Sequence, residues 1–374
     1  MESTRWLLVL MLWLLPWLQM VKSGFSIQRF QSAPTWQSQV AIPKDGVYLV
    51  SVIVDPCTGC RSTLRLYCHC QGKEEIVLTA YGRGIYSHAE VAVVLKRNDK
   101  LFLKKAGIIQ AGSSLAVVYV AELNSFYITA MNGFLWTTES PVKYTSRLTP
   151  EGWYDLKRTD RKATFTIPTT GMYWVTARPR PYLKPLTMAV KIGSKVLLTV
   201  YAEKAKPVST SGAFRLTAGS SIRAVTQGGV TYSPQTLLSV VYLAGNKKPY
   251  TYPYEHLAFT AKYDVRRYSV AQEVLQFQRV LTNYGYIHVG GYTEIRRTGS
   301  YMVSIRPYPE STSTVTVTLY VNGKSHWVMY AEEGVPAGAT ISLSLQVGSY
   351  LEFRSKTATT LALHTMFSVA FVQP

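Results

Sequence analysis

Acidic side chains are scarce in this 374-residue chain: 21 Asp and Glu stand against 40 Lys and Arg, for a formal net charge of +19. No repeated carboxylate pair is present, and Asp45 and Asp99 are too few and too weak as candidates to support a calcium site, so no metal is expected. The six histidines (His69, His88, His256, His288, His326 and His364) are scattered. Gly-x-Ser-x-Gly, His-Glu-x-x-His and phosphate-loop motifs are missing. With neither a nucleophile motif nor a ligand cluster, no enzyme and no cofactor are expected. Asn-x-Ser/Thr sequons are lacking, which excludes ordinary N-glycosylation. Long amphipathic helices, Gly-X-Y tracts and nucleic-acid-binding motifs are lacking too, and charge alone does not make a specific nucleic-acid binder. Beyond the N-terminus no segment is long and apolar enough to cross a membrane, and the C-terminal strand is too short for a lipid-anchor signal.

What is present begins with Arg5, an apolar run from Trp6 to Leu18, and Val21-Lys22-Ser23. A basic start, a short apolar core and small residues near a cut define a secretory signal peptide, with cleavage expected near Ser23. The run is short for the roughly 20 residues of a spanning helix. A secreted, extracellular protein is expected.

The remainder repeats itself three times. Ile42-Pro43-Lys44-Asp45-Gly46-Val47-Tyr48 returns as Ile167-Pro168-Thr169-Thr170-Gly171-Met172-Tyr173 and as Ile295-Arg296-Arg297-Thr298-Gly299-Ser300-Tyr301. Each reads as a tight turn feeding an apolar strand. Next come alternating inward positions and a hairpin turn: Leu64, Leu66, Cys68 and Cys70 before Gln71-Gly72; Leu186, Met188, Val190 and Ile192 before Gly193-Ser194; Val315, Val317, Leu319 and Val321 before Asn322-Gly323. Asn-Gly suits a type I′ turn and Gly-Ser a type II′ turn. Leu95–Asp99, Leu216–Ser220 and Leu345–Ser349 read as further turns. Each copy closes on a strand apolar on both faces (Leu115–Val120, Leu238–Leu243, Phe367–Val372), which implies burial from both sides.

These phrases, in this order, resemble the globular C1q head within the C1q and tumour necrosis factor-like jelly-roll superfamily. Phe25-Ser26 and Phe259-Thr260-Ala261 look like the family's first strand. Pro43 to Tyr48 and Pro168 to Tyr173 look like its Pro-x-x-Gly-x-Tyr strand, Leu95 to Asp99 like its turn, and Phe367 to Val372 like its last strand. The third copy has Arg296 in place of the proline, Val369 stands where the family has glycine, only the first copy keeps the turn Asp, and no collagen stalk is present. The resemblance implies an all-β chain of three tandem antiparallel jelly-roll β-sandwiches: residues 24–123, 124–245 and 255–374, with 1–23 as signal and 246–254 as linker. It also implies trimers of heads. A chain with three heads builds that trimer from itself, so an intramolecular pseudo-trimer with head-to-head packing is expected, with beads on a string as the alternative.

Charge is uneven. Residues 24–125 carry 11 basic and 7 acidic groups, 126–250 carry 17 and 5, and 251–374 carry 10 and 8. The middle unit therefore dominates a positive field that draws in polyanions. Its densest stretches are Lys157, Arg158, Arg161 and Lys162, then Arg178, Arg180 and Lys184 among three prolines. That proline density predicts an exposed loop, and arginine forks suit sulfate and phosphate. All seven are candidate anion ligands.

The four cysteines all fall in the first copy, as Cys57-x2-Cys60-x7-Cys68-x-Cys70, a spacing unlike a zinc ribbon. Two disulfides are expected. Cys68 and Cys70 share a strand face, so each is expected to pair with Cys57 or Cys60 rather than with each other. Tyr250, Tyr252 and Tyr254 suit a domain interface or sugar stacking. The function expected is non-enzymatic recognition of extracellular polyanions or glycans, with microbial surfaces as a setting implied by the resemblance. The alternatives are a structural protein of a matrix, egg coat or adhesive layer, and a tumour necrosis factor-like ligand of a cell-surface receptor.

Overall fold

The structure, a computed structural model, describes residues 25–29, 39–55, 60–70, 72–83, 87–109, 113–121, 127–132, 146–149, 152–155, 164–181, 184–203, 208–227, 236–243, 257–263, 267–284, 286–310, 314–334, 336–362 and 365–373. The signal segment, Cys57, Lys157, Arg158, Arg161, Lys162, the expected linker and its three tyrosines lie outside these residues. The described residues form strands and turns without a helix, and so no helix among them is long and apolar enough to cross a membrane.

The first unit contains β1 (Phe25–Arg29), β2 (Val40–Ala41), β3 (Gly46–Val54), β4 (Arg61–Cys70), β5 (Lys73–Arg83), β6 (Ser87–Leu95), β7 (Lys100–Ala106) and β8 (Ser114–Ala121). They pair as β1-β8-β3-β6 and β2-β7-β4-β5, an eight-stranded jelly roll. The second contains β9 (Tyr127–Asn132), β10 (Ser146–Thr149), β11 (Gly152–Asp155), β12 (Thr164–Thr166), β13 (Gly171–Arg178), β14 (Leu186–Ile192), β15 (Lys195–Ala202), β16 (Thr210–Leu216), β17 (Ser221–Gln227) and β18 (Thr236–Tyr242). The third contains β19 (Ala258–Lys262), β20 (Arg267–Ser269), β21 (Arg279–Tyr284), β22 (Ile287–Val289), β23 (Tyr292–Glu294), β24 (Gly299–Arg306), β25 (Val315–Val321), β26 (Lys324–Ala331), β27 (Ala339–Leu345), β28 (Tyr350–Ser355), β29 (Thr359–Leu361) and β30 (Met366–Gln373). Apart from added edge strands, the pairing order repeats: β9-β18-β13-β16 over β12-β17-β14-β15, and β19-β30-β24-β27 over β23-β28-β25-β26. All these pairings are antiparallel. The described residues are thus all-β, and their strands pair in the order of three antiparallel jelly-roll sandwiches.

Local chemistry repeats with the topology. Tyr48, Tyr173 and Tyr301 each donate a side-chain hydrogen bond to the carbonyl four residues earlier, at Lys44, Thr169 and Arg297 (2.8, 2.6 and 2.5 Å). Each also meets an aromatic on the unit's last strand edge-on: Tyr119, Tyr242 and Phe371. The turn after each sixth jelly-roll strand contains one left-handed residue, Asn98, Gly219 or Gly348. The backbone amide of that residue donates to Ile42, Ile167 or Ile295. The same turn is capped by a side chain from the preceding phrase: Asp45 accepts from the Arg97 amide, Thr170 from Ala218, and Thr298 from Val347. Asp99 likewise accepts from the Lys96 amide at 2.8 Å. The two residues weighed as calcium ligands therefore hold turns.

The three units close on one another. Strand β6 packs on β9, β13 and β18 of the second unit, β16 on β19, β24 and β30 of the third, and β27 on β3, β6 and β8 of the first. This head-to-tail contact uses one surface type three times and leaves no open end, as in a cyclic trimer. It explains the closing strands apolar on both faces: β8, β18 and β30 are central in sheets that face their own core on one side and neighbouring units on the other. Leu49, Trp174 and Met302, which follow the three tyrosines by one residue, fall in one buried cluster with Val118, Val241 and Ala370.

One expectation is corrected. Cys68 is bonded to Cys70, not to Cys57 or Cys60; Cys60 is disulfide-bonded as well, and the described cysteines include no free thiol. Two residues of extended chain span about 6.5 Å, but β4 ends here beside the turn at Gly72, and the Cα atoms stand 5.2 Å apart, inside the range that a disulfide accepts. The shared face that made this pair awkward in a straight strand is what lets it close at a contracted strand end. The Asp99 carboxylate lies within 4.8 Å of both sulfurs, but sulfurs bonded to each other are not thiolate ligands.

Candidate functional site

The residues expected to bind anions separate sharply. Arg178 ends β13 and is 1% exposed. Its guanidinium crosses to the first unit and donates to the Thr79 carbonyl at 3.1 Å. Burial lowers its pKa to about 9, with Arg180 adding to the shift. Arg180 is half-buried, its guanidinium 4.5 Å above the Tyr81 ring. Only Lys184 of the described three is exposed. As an anion ligand Arg178 is therefore excluded: it is the end of a strand wedged into a seam, and the segment leaves the strand only beyond it, where Lys184 is exposed.

The next seam repeats the device. Arg306, at the end of β24, donates to the carbonyls of Thr199 (2.7 Å) and Tyr201 (3.4 Å) on β15, and Tyr308 stacks on Tyr201. Burial lowers the Arg306 pKa to about 10. The phrases Arg178-Pro179-Arg180-Pro181 and Arg306-Pro307-Tyr308-Pro309 were a visible signal of this equivalence, and sequence reasoning passed over it. In the first unit the matching position is Ile53, which is buried in the core cluster of the third unit.

Where the three units meet lies a polar knot. Glu90, fully buried, accepts hydrogen bonds from Trp174 Nε1 (2.8 Å), Thr176 Oγ1 and Ser211 Oγ (2.8 Å) of the second unit. His88 Nε2 lies 2.9 Å from Ser51 Oγ, which itself donates to the Thr340 carbonyl of the third unit at 3.0 Å. Desolvation raises the Glu90 pKa, against the pull of its hydrogen bonds. Desolvation, reinforced by the Arg178 charge, lowers that of His88 to about 3. His88 is therefore neutral, and its 3.8 Å approach to Glu90 is not an ion pair at neutral pH. Ser, His and Glu side by side suggest a hydrolytic triad, but the geometry lacks its essentials. Both Ser51 and Glu90 approach the same ring nitrogen, while Nδ1 has no hydrogen-bond partner, and no substrate reaches residues this deeply buried. The knot fixes how three units dock. Its sequence signal was a histidine and a carboxylate, His88 and Glu90, opening a strand that is apolar from Val91 to Leu95.

On the outside of the seam between units two and three lies a groove of about 400 Å³ lined by Lys195, Val196, Leu197 and Thr199 of β15 and by Lys262, Arg279, Leu281 and Met366 of the third unit. Its described walls thus contain three cations and no acid. Lys262 and Arg279 are direct cross-strand partners on β19 and β21.

Comparison with known protein families and with characterised proteins gives no match. Among solved structures the chain is similar to pika GITRL, with 15% identity, a TM-score of 0.24 and coverage of 31% of this chain and 96% of that one. It is also similar to the tandem CBM22 domains of Xyn10C from Paenibacillus barcinonensis, with 11% identity, a TM-score of 0.20 and coverage of 66% and 93%. A third likeness is to an archaeal virus protein with a triple jelly-roll fold, with 9% identity, a TM-score of 0.19 and coverage of 93% and 88%. Overlays this loose assign no function.

Proposed function

We propose that the protein is a secreted, non-enzymatic recognition protein of the C1q and tumour necrosis factor-like type that binds extracellular anionic or glycan ligands. The observation that carries this reading is the three-cation groove between units two and three, set in a chain with nearly twice as many basic as acidic residues. The net positive field gathers anions from a distance, and the groove gives them a shaped place to stop. The seam-forming strand order and the repeated turn phrases support the family assignment. Innate recognition of microbial surfaces is one setting that fits such chemistry.

The test is binding of the full chain to heparin and to phosphatidylglycerol vesicles across a salt series. Binding that weakens steadily with salt, and is lost when Lys195 and Arg279 are reversed to Glu, is the expected result. No binding to either at low salt overturns the reading and moves the choice to a matrix protein or a receptor ligand. The receptor-ligand reading has one specific support, the closed ring of three heads that contact one another.

A further inference from the structure

Among the described residues, the sheets β2-β7-β4-β5 and β12-β17-β14-β15 have four strands, and only the matching sheet of the third unit has a fifth, the edge strand β22, joined to β23 through Gly290-Gly291. Alternate residues and cross-strand partners share a face of a sheet. Ile287 opposes Glu294, Val289 opposes Tyr292, and Glu294 opposes Tyr350 on β28, so these five side chains stand together on the face turned from the core. His288 and Thr293 take the other face. His288 Nδ1 lies 2.8 Å from Thr293 Oγ1, and its ring 4.5 Å from that of the core residue Phe259. At the tip, a Cβ on Gly291 would meet the Leu275 carbonyl at 2.8 Å. The hairpin is thus seated on the core, and its outward face is preorganised. With Gly348 that face encloses an open corner of about 430 Å³, inside the range of small-ligand clefts. The Tyr292 and Tyr350 rings stand 5.9 Å apart at 68°, as two walls of an L.

The fold does not require this surface, because the other two units do without it. The register that places Tyr350 opposite Glu294 places Lys100 opposite Ala41 in the first unit and Ser221 opposite Thr166 in the second. Tyr292 corresponds in the same way to Gln39 and Thr164, and Arg296 to Pro43 and Pro168. Yet Ile287, Tyr292 and Tyr350 are exposed, and Val289 is 70% exposed. An exposed apolar cluster that serves no packing need marks a binding surface. The lining selects the ligand. No lysine or arginine lines the corner, and its one charged side chain, Glu294, pairs with Arg296 at 3.2 Å while both remain partly exposed. A polyanion meets a carboxylate here, and insertion into a bilayer drags that carboxylate out of water at a high cost. A sugar ring satisfies both halves: its C–H face suits an aromatic ring, and its hydroxyls suit a carboxylate and a guanidinium. We propose that this corner binds a neutral saccharide, with one sugar ring seated against Tyr292 and Tyr350 and its hydroxyls held by Glu294 and Arg296. The site shares no residue with the basic groove, so it adds an uncharged ligand class and does not depend on the anion reading.

The experiment is calorimetric titration of the full chain with cellohexaose, mannohexaose and chitohexaose, beside heparin, at low and high salt. At least one of the neutral hexasaccharides is expected to bind, with an affinity that salt leaves unchanged, whereas heparin binding weakens with salt. Y292T combined with Y350S copies the residues that the second unit carries at this register. It should weaken saccharide binding roughly tenfold or more, with heparin affinity and melting temperature unchanged. Glu294→Gln, at an exposed position, should lose severalfold and decides the matter if the double variant does not fold. Tyr350→Phe, which keeps the ring, should bind nearly as well as the unaltered protein. If heparin binds but none of the three hexasaccharides does, the saccharide inference falls and the anion reading stands. If a hexasaccharide binds and heparin does not, the saccharide inference stands alone. Saccharide binding untouched by the double variant overturns the assignment to this corner. Sedimentation with phosphatidylcholine vesicles that Val289→Asp abolishes also overturns it, and makes the hairpin a membrane-inserting tip.

Discussion

Burial of an arginine at a seam inverts the expectation for Arg178 and recurs at Arg306. Arg178 and Arg306 end equivalent strands and reach backbone carbonyls of the preceding unit. Truncating Arg306 to Ala deprives two half-buried carbonyls of their charged donor, at a cost of about 1–3 kcal/mol, read by urea denaturation. Arg178→Ala should also lose stability, while leaving heparin affinity unchanged once folded; a weakened affinity with unchanged stability would restore the exposed-loop reading. The buried pair His88 and Glu90 gives opposite pH behaviour. The folded pKa of His88, about 3, is below its unfolded value near 6.5. Its contribution to stability is therefore complete above that value and is lost as pH falls towards 3, by up to tenfold in the folding equilibrium per pH unit. His88→Asn should flatten the fall in melting temperature between pH 6.5 and 4. The folded pKa of Glu90 is raised. Its contribution is complete below about pH 4.3 and is lost as pH rises through the folded value. Glu90→Gln, which cannot ionise, should remove that loss, so its melting temperature should hold up better than that of the unaltered protein on the alkaline side.

At the scale of turns and strands much was legible, because the signals are local. Gly219 and Gly348 sit at φ +80 and +82, with Asn98 at +74 in the matching turn, a region that glycine enters freely and asparagine tolerates. Gly219→Ala should cost about 1 kcal/mol by thermal melting, and Asn98→Gly should be neutral or slightly stabilising. The alternation in β4, β14 and β25 likewise marks the inward residues, and the doubly apolar closing strands read as buried. What was not legible depends on contacts between units. Arg178 is followed by Pro179, Pro181 and Pro185, a local pattern that reads as loop, and only the arrival of β5 from the first unit makes it core. Cys68 and Cys70 were judged on an ideal strand, and the contraction at the strand end beside the turn decided otherwise. The groove escaped for the same reason: Lys195 and Lys262 are 67 positions apart in sequence (262 − 195), and nothing local links them.

For the molecule as a whole, the central claim is closure. The seams are polar at the middle, through Glu90, Ser51 and their partners, and apolar beneath, through Leu49, Trp174 and Met302. Close approach depends on small residues: a Cβ on Gly338 of the third unit would meet the Ser209 carbonyl of the second at 2.1 Å. Gly338→Ala should therefore loosen the seam and lower the melting temperature. The most direct measurement is small-angle X-ray scattering of the full chain, with its mass fixed by light scattering in the same run. Closure predicts a monomer with a radius of gyration near the roughly 21 Å of a compact chain of this length. A monomer with a radius well above that, and the distance distribution of three separated beads, would contradict it.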